Sequence, residues 1–566
     1  MKKKVLILAP HQDDEISIGG AMIPFLQEQG FTPHVLFSTN GDYRTSGEIR
    51  MQEASHALAI LGVKKENIHI LGYGDTLNTP DHHHIFYSKE NVVRSPAGHG
   101  ETYGVEGFID YAYLRRNVHS PYTRESYQKD LKEFLLDLRP DVIFCVDYDV
   151  HADHRMLSLS FDHVMGEILQ REKNDFFPQV FKSLSYALSF YSYLDFWQDN
   201  IFSTRRPVPG KIETYDEDLV DQSLYTWGNR IRIPVPRQCI SNTLSQNLIY
   251  CALKEHRSQW AALQAPRIIN GDCVYWERRT DSLTYYADVR VSSGEGKYLR
   301  DFKLFDVEDI DSKKFLPRCY LWQPDSADLE RAVLLSWKSP QHIELVRIWG
   351  NINGGGIDEI SIRSSIGENI SFGPLKNKGQ KNDILLGCTD GIEWLEIRIR
   401  RTTGGNIGFS EVEVFSSVYS PTNIRPFIKC MIDNHFIYDY CVDKDVRQLT
   451  LSVYQYGVAE EVFFSVAKGQ SHFEGDTLRI HSLDREILVS AYTRSGVCDH
   501  IKIRRLSMVS LLLLRGYRVI DRFWWYLNCK QHYAIKIYNR IKNIRRETLK
   551  KLVVRCKMKL NSQTKK

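Results

Sequence analysis

A chain of 566 residues with 42% hydrophobic content is long enough for three or four domains, each with its own core. Its eleven cysteines are an odd, scattered set without a Cys-x-x-Cys pair. That excludes a disulfide scaffold and points to reduced thiols in a cytosolic protein. The net charge of +4 hides an asymmetry: residues 502–566 carry 19 Lys+Arg against 2 Asp+Glu, and +4 less that +17 leaves −13 for the rest.

The first apolar run, Val5–Ala9, is only five residues long. It is too short for a signal peptide, so the N-terminal domain is expected on the cytoplasmic side. The run reads as a buried strand and leads into Pro10-His11-Gln12-Asp13-Asp14-Glu15. A helix over about Gly20–Gln29 follows, then strand His34–Ser38, helix Glu48–Leu61 and strand Ile68–Leu71. Further on come helix Arg124–Leu138, stopping before Pro140, and strand Val142–Val146, which leads into His151-Ala152-Asp153-His154. Strands alternating with helices predict an α/β, Rossmann-like, mostly parallel sheet with helices on both faces.

Two imidazole/carboxylate clusters, each after its own strand, suit a mononuclear metal hydrolase. Ligands collect beyond the carboxyl ends of strands in open α/β sheets. Catalytic zinc takes three protein ligands and keeps one position open. His11, Asp14 and one histidine of the second cluster supply such a set. Asp13 is then free as general base for a water activated at the metal. His151 is placed to face the developing oxyanion, with Asp153 holding that imidazole in one tautomer. The plainer alternative makes Asp-Asp-Glu a helix cap and the histidines surface residues, but it must explain both clusters at once.

These motifs resemble the PIG-L/LmbE family of zinc-dependent N-acetylglucosaminyl deacetylases. Thr39-Asn40-Gly41-Asp42, Arg50 and Glu53 before Leu61-Gly62-Val63, and Ala252 to Gln259 agree with it. The resemblance covers roughly the first 275 residues. It implies that His11, Asp14 and His154 bind Zn2+, that Asp13 is the general base, that His151 is the oxyanion or leaving-group partner, and that Arg50 lies near the sugar. Gln12 stands where the family often has proline, which removes loop rigidity but no ligand.

Beyond residue 275 the pattern changes to short alternating runs. Residues 276–319 read as a connecting segment. Residues 320–417 read as a β-sandwich, with strands Ala332–Trp337, Ile343–Trp349, Glu359–Arg363, Trp394–Arg400 and Ser410–Phe415. Val346-Arg347-Ile348-Trp349-Gly350 and the closing Phe409–Phe415 resemble galactose-binding-like (discoidin-type) modules. Residues 425–503 suggest a small immunoglobulin-like unit, with strands near Ile437–Tyr440, Leu449–Tyr456 and Glu461–Val466.

Residues 504–566 form a basic amphipathic tail. Leu506–Leu514 is too short to span a bilayer, which needs about 20 apolar residues. Phe523-Trp524-Trp525-Tyr526 is a headgroup-type aromatic cluster. Ile537, Ile541, Ile544, Leu549, Leu552 and Val553 recur at helical spacing among Lys and Arg. The tail is therefore expected to lie on an anionic membrane surface, the other readings being helices packed on the acidic body or nucleic-acid binding. No nucleic-acid motif is present, so no nucleic-acid partner is expected.

His82-His83-His84 reads as a polar loop, and His256 as support for the site or its helix. Tyr43, Tyr73 and Tyr103 read as core aromatics before sugar-stacking ones. The leading functional expectation is metal-dependent removal of an N-acetyl group from an aminosugar of a cell-envelope or lipid-linked glycan, at the inner face of the membrane. A catalytically inactive, membrane-peripheral carbohydrate-binding scaffold is the alternative, and the retained Asp13 argues against it.

Overall fold

The computed structural model describes residues 2–75, 84–149, 151–185, 203–204, 227–241, 243–308, 310, 317–318, 320–351, 355–376, 380–405, 407–520, 522–523 and 525–527. His82, His83, Trp524 and the recurring apolar residues from Ile537 to Val553 lie outside the described residues.

The N-terminal sheet is built from continuously apolar strands. β1 (Lys4–Ala9) pairs in parallel with β2 (Thr32–Thr39) on one side and β4 (Val142–Val146) on the other. β3 (Ile68–Tyr73) and β5 (Gln179–Ser183) extend the parallel run. β6 (Ile231–Pro234) and β7 (Asp272–Arg278) close one edge in antiparallel pairing, giving the order β3-β2-β1-β4-β5-β7-β6. Leu6, Ile7 and Leu8 are wholly buried, as a strand covered on both faces requires. The strand order reverses between β1 and β4, and the crevice beyond their carboxyl ends is where such sheets hold ligands.

Helix α2 (Gly47–Ile60) starts where the Ser46 side chain accepts from the Ile49 amide. α4 (Arg124–Leu138) starts likewise at Thr123 and stops at Arg139, which is left-handed (φ 49°), ahead of Pro140. The expected first helix is shorter than the sequence suggests. A wide π-helical turn occupies Ile16–Gly20 and an α-helix only Met22–Gln27. Gly19 presses against β1 so closely that a Cβ there would sit 2.7 Å from Ile7 Cδ1. α5 (Ala152–Leu169) follows β4 and is buried along most of its length.

The next unit is a sandwich of two antiparallel sheets. One is ordered β14 (Asn369–Phe372), β13 (Ile357–Ser364), β16 (Ile392–Thr402), β11 (Ala332–Gln341), β8 (Asp288–Val291). The other is β15 (Lys381–Leu385), β12 (Leu345–Gly350), β17 (Phe409–Phe415). Residues 276–319 are therefore more than a connection. β8 pairs with β11, and Ala287 and Leu299 enter the sandwich core, because β11 otherwise leaves an open edge. A two-residue ribbon, β9 (Asp306–Val307) with β10 (Pro317–Arg318), also lies in this stretch.

Strand alternation turns Val346 and Ile348 of β12 into the sandwich core. Trp349 turns the other way, into the core of the first domain. The outer face of this small sheet thus lies on the β5–β7 side of the first sheet, where the Arg278 guanidinium stands 5.9 Å from the Trp349 ring.

A third unit pairs β18 (Phe427–Ile432) with β21 (Gln448–Tyr456) in one sheet, and β25 (Glu486–Thr493) with β26 (Cys498–Leu506) in another. It docks on the first domain: Gln179 Nε2 donates to Tyr456 Oη at 2.5 Å, and the Arg232 amide to Tyr454 Oη at 3.1 Å.

The chain then continues as a helix at 508–520, 522–523 and 525–527. Leu511 and Arg518 are buried, and Trp525 packs on the first domain, its Nε1 donating to Ala262 O at 3.3 Å. At 100° per residue these three fall on one seam. Among the described residues, the rest of the helix surface exposes nine large hydrophobic side chains, including Val509, Leu512, Leu513, Ile520 and Phe523. No helix among the described residues is long and apolar enough to cross a membrane.

Candidate active site

The strand-end crevice assembles from five segments: the turn after β1, the stretch after β3 at Asp75, residue 84, the turn after β4 with the start of α5, and the end of β5. Asp14 Oδ2 lies 3.1 Å from His11 Nδ1 and 3.1 Å from His154 Nε2. Donors about 2.0–2.2 Å from one tetrahedral ion stand about that far apart. Each imidazole also has a carboxylate on its other nitrogen: His11 Nε2 faces Asp153 Oδ2 at 3.0 Å, and His154 Nδ1 faces Asp149 Oδ2 at 2.9 Å. That carboxylate–histidine pairing is the usual support of a metal-ligating imidazole. The donor set therefore fits a divalent cation. His11, His151 and His154, or His11, Asp75 and Asp153, also bring ligand atoms within 4.8 Å of one another.

Asp153 does not serve His151 as expected. Its carboxylate is 3.8 Å from His151 Nδ1, and is used instead by His11 and by His84, whose Nε2 is 2.9 Å from Oδ1. The Asp153 backbone amide fixes His151, donating to Nδ1 at 3.2 Å. His151 is thus the N-cap of α5, and when neutral it carries its proton on Nε2. Burial, with His11 and His154 nearby, holds its pKa well below the usual value.

His84 departs from the polar-loop expectation. It is buried, its Nδ1 accepts from the Phe86 amide, and the remaining N–H points at Asp153. The short turn over 85–87 needs such a cap.

Asp13 sits at φ 125°, a backbone state that costs about 1–3 kcal/mol and persists only where its surroundings hold it. Glu15 Oε2 accepts from the Asp13 amide at 2.7 Å, while Glu15 Oε1 is 2.7 Å from His256 Nε2. His256 is buried and acts through Glu15. Arg50 Nη2 donates to Gln12 O at 2.6 Å and to Asp13 Oδ1 at 3.2 Å, and Nη1 donates to Gly41 O. Arg50 is therefore buried against the Gln12–Asp13 turn and aims its charge at Asp13. Burial and Asp14 push the Asp13 carboxyl up to about 6, opposed by Arg50 and His256.

Gln12 supplies the rigidity that its replacement of proline was expected to remove, because Nε2 donates to Thr39 O at 2.9 Å. A Cβ on Gly41 (φ +63°) would lie 2.3 Å from Gln12 Oε1, so that turn needs glycine.

Four supports escape a motif reading. Asp149 holds His154. Asp75 Oδ2 stands 3.9 Å from both His11 Nε2 and Arg50 Nη1. His84 is the third. Ser185 donates from Oγ to Asp14 Oδ1 at 2.9 Å and from its amide to Asp149 Oδ2 at 3.1 Å. Asp149 carries a local signal in the spacing Asp147-x-Asp149-x-His151, and His84 one in the histidine run His82-His83-His84 that reads as a polar loop. Of the tyrosines, Tyr73 is buried on Asp130 and Tyr103 donates to Asp42 at 2.7 Å.

Parallel strands with a carboxylate–imidazole cluster able to hold a cation at the switch point define an α/β domain with a candidate metal site. Residues 6–165 match the family described as PIG-L, GlcNAc-PI de-N-acetylase, so the chain carries a PIG-L domain. No curated protein matches the chain. Among solved structures, N,N'-diacetylchitobiose deacetylase from Pyrococcus horikoshii is 24% identical over 32% of this chain and 60% of its own, with a TM-score of 0.21. A deacetylase triple mutant of the teicoplanin biosynthetic pathway is 13% identical over 49% and 98%, at 0.26. The family 32 CBM from C. perfringens NanJ, in complex with galactose, is 13% identical over 23% and 94%, at 0.19.

Proposed function

We propose that this protein is a zinc-dependent N-deacetylase acting on an N-acetylated aminosugar, of the N-acetylglucosamine type, in a cell-envelope or lipid-linked glycan. The observation that carries the reading is the pair of carboxylate-backed imidazoles, His11 and His154, sharing Asp14 Oδ2 at 3.1 Å beside Asp13, whose carboxylate meets Arg50 and neither imidazole. A divalent ion held by His11, Asp14 and His154 would supply Lewis acidity toward the acetamide carbonyl and lower the pKa of a water.

The chain's own groups do the rest. Asp13, its carboxylate steadied by Arg50, takes a proton from the attacking water as the new C–O bond forms. His151, neutral and protonated on Nε2, donates to the oxyanion of the tetrahedral intermediate. Protonated Asp13, or His151, then delivers a proton to the sugar nitrogen. The C–N bond breaks, and acetate and a free amine leave. Arg50 reaches the sugar in this reading only through its edge toward Asp75.

Acetate release from a panel of N-acetylhexosamines, together with metal content, tests the reading. Asp13→Asn should keep its metal and lose about 10²–10⁴-fold in turnover. Near-normal turnover, or an emptied site, would mean that the two aspartates have exchanged roles.

We also infer that residues beyond 502 attach the enzyme to an anionic membrane, at the inner face for an enzyme of the cytoplasm. The +17 charge of residues 502–566 and the exposed side of the helix described at 508–520, 522–523 and 525–527 support this. Basic residues contribute about 1 kcal/mol each at such a surface, and an apolar helical face can insert in its plane.

A further inference from the structure

A cavity of about 250 Å³ lies between the β5–β7 side of the first sheet and the outer face of the three-stranded sheet of the sandwich. None of His11, Asp13, Asp14, His151 or His154 lines it. Two indoles, Trp276 and Trp349, contribute to its wall, with four cationic and four anionic side chains. That balance argues against a phosphate or another strongly charged ligand, which needs an excess of one sign.

The polar groups are held in place before any ligand arrives. Arg347 is forked onto Asp383, Nε to Oδ1 at 2.6 Å and Nη2 to Oδ2 at 3.1 Å. Lys182 is buried and fixed by Asp162 and Ser158, each at 2.8 Å. Arg278 is more than nine-tenths buried and lines the cavity. Its Nη2 donates to Phe302 O at 2.9 Å, and its Nε has no hydrogen-bond partner among the described residues. A buried N–H left in this way is destabilising until something accepts from it.

The matching ligand has hydroxyls that both donate and accept, a flat C–H face for an indole, no net charge, and a size just below the roughly 300 Å³ at which pockets for larger molecules begin. We propose that this interdomain cavity binds a single neutral hexose unit of a glycan, separately from the strand-end crevice.

The test uses the full-length protein with galactose, glucose and mannose. They lack the acetamide, so the outcome does not depend on the deacetylase reading. Saturation-transfer NMR and tryptophan fluorescence should show one or more of them binding with a millimolar dissociation constant. Val418→Trp and Ser420→Trp introduce bulk from two exposed or half-buried lining positions. Each should weaken that binding at least tenfold while leaving acetate release from a soluble N-acetylated aminosugar unchanged. The proposal is overturned if none of the three hexoses binds, or if both blocked variants bind like the parent.

Discussion

Around a metal ligand, the side chains one layer out decide how well the site is organised. Removing His11, Asp14 or His154 by alanine substitution should empty the site, read as bound metal after dialysis. The subtler case is Ser185, whose hydroxyl and amide tie Asp14 to Asp149 and so steady two ligands at once. Ser185→Ala should weaken metal binding about 10–100-fold, measured by chelator competition, with the thermal unfolding midpoint nearly unchanged. An unaltered affinity would mean that the rest of the network holds Asp14 without it. The ligand candidates and Asp13 were legible because the strand ends put them in two short motifs. Ser185, Asp75 and His84 were not, since each reaches the crevice from a different segment: Ser185 and Asp75 carry no pattern, and the histidine run around His84 reads as a polar loop. The role assigned to Asp153 failed for a related reason: sequence adjacency to His151 says nothing of which imidazole its carboxylate faces.

β2 and β3 carry a titratable pair. His34 and His69 stack 5.5 Å apart, with Nδ1 and Nε2 3.2 Å from one another. Burial, then Lys4, lowers the pKa of His34 from 6.5 to about 4, and burial, then His34, does the same for His69. Between those values the unfolded chain binds more protons than the folded one, so stability falls as pH drops from about 6.5 toward 4. The cause is the cost of charging two neighbouring imidazoles away from water. The doubly substituted His34→Gln, His69→Gln protein should therefore lose less of its own unfolding free energy between pH 7 and pH 4.5 than the parent does. An unchanged pH dependence would place the acid sensitivity elsewhere. At this scale strands were legible where a buried run is also continuously apolar, as in Val142–Val146, but not in the equally buried β5, where Gln179, Lys182 and Ser183 interrupt the run; a helix was legible where a cap and a proline bracket it, as in Arg124–Leu138. Missed were β8, β14 and β15, short strands at or near sheet edges where half-exposure blurs the alternation. Also missed were β25 and β26, whose alternating Ile487, Val489 and Ala491, and Ile501 and Ile503, do carry the signal.

For the molecule as a whole, the basic tail and the acidic remainder predict a protein whose position depends on salt. Screening acts over about 8 Å at physiological ionic strength, whereas inserted apolar side chains are indifferent to it. High salt should release only part of the full-length protein from anionic vesicles. Truncation after Leu506 should release all of it and leave turnover of a small soluble aminosugar intact. Leu512→Glu with Leu513→Glu, on the exposed side of the helix, should weaken sedimentation with vesicles without lowering thermal stability. If the parent protein does not sediment with anionic vesicles, the membrane reading fails and the deacetylase reading stands untouched.

The sandwich sheet that carries Trp349 occupies the place where a Rossmann-like domain would ordinarily lay another helix over β5 and β7. That has a consequence for dissecting the gene. A fragment ending near residue 275 keeps every candidate catalytic group, yet it strips the cover from the β5–β7 side and removes the partners that Gln179 and Arg232 find in the third unit. Such a fragment should express as an aggregation-prone species. An expression boundary placed after Leu506 keeps all three layers together, and is the shorter chain from which a well-behaved catalyst can be expected.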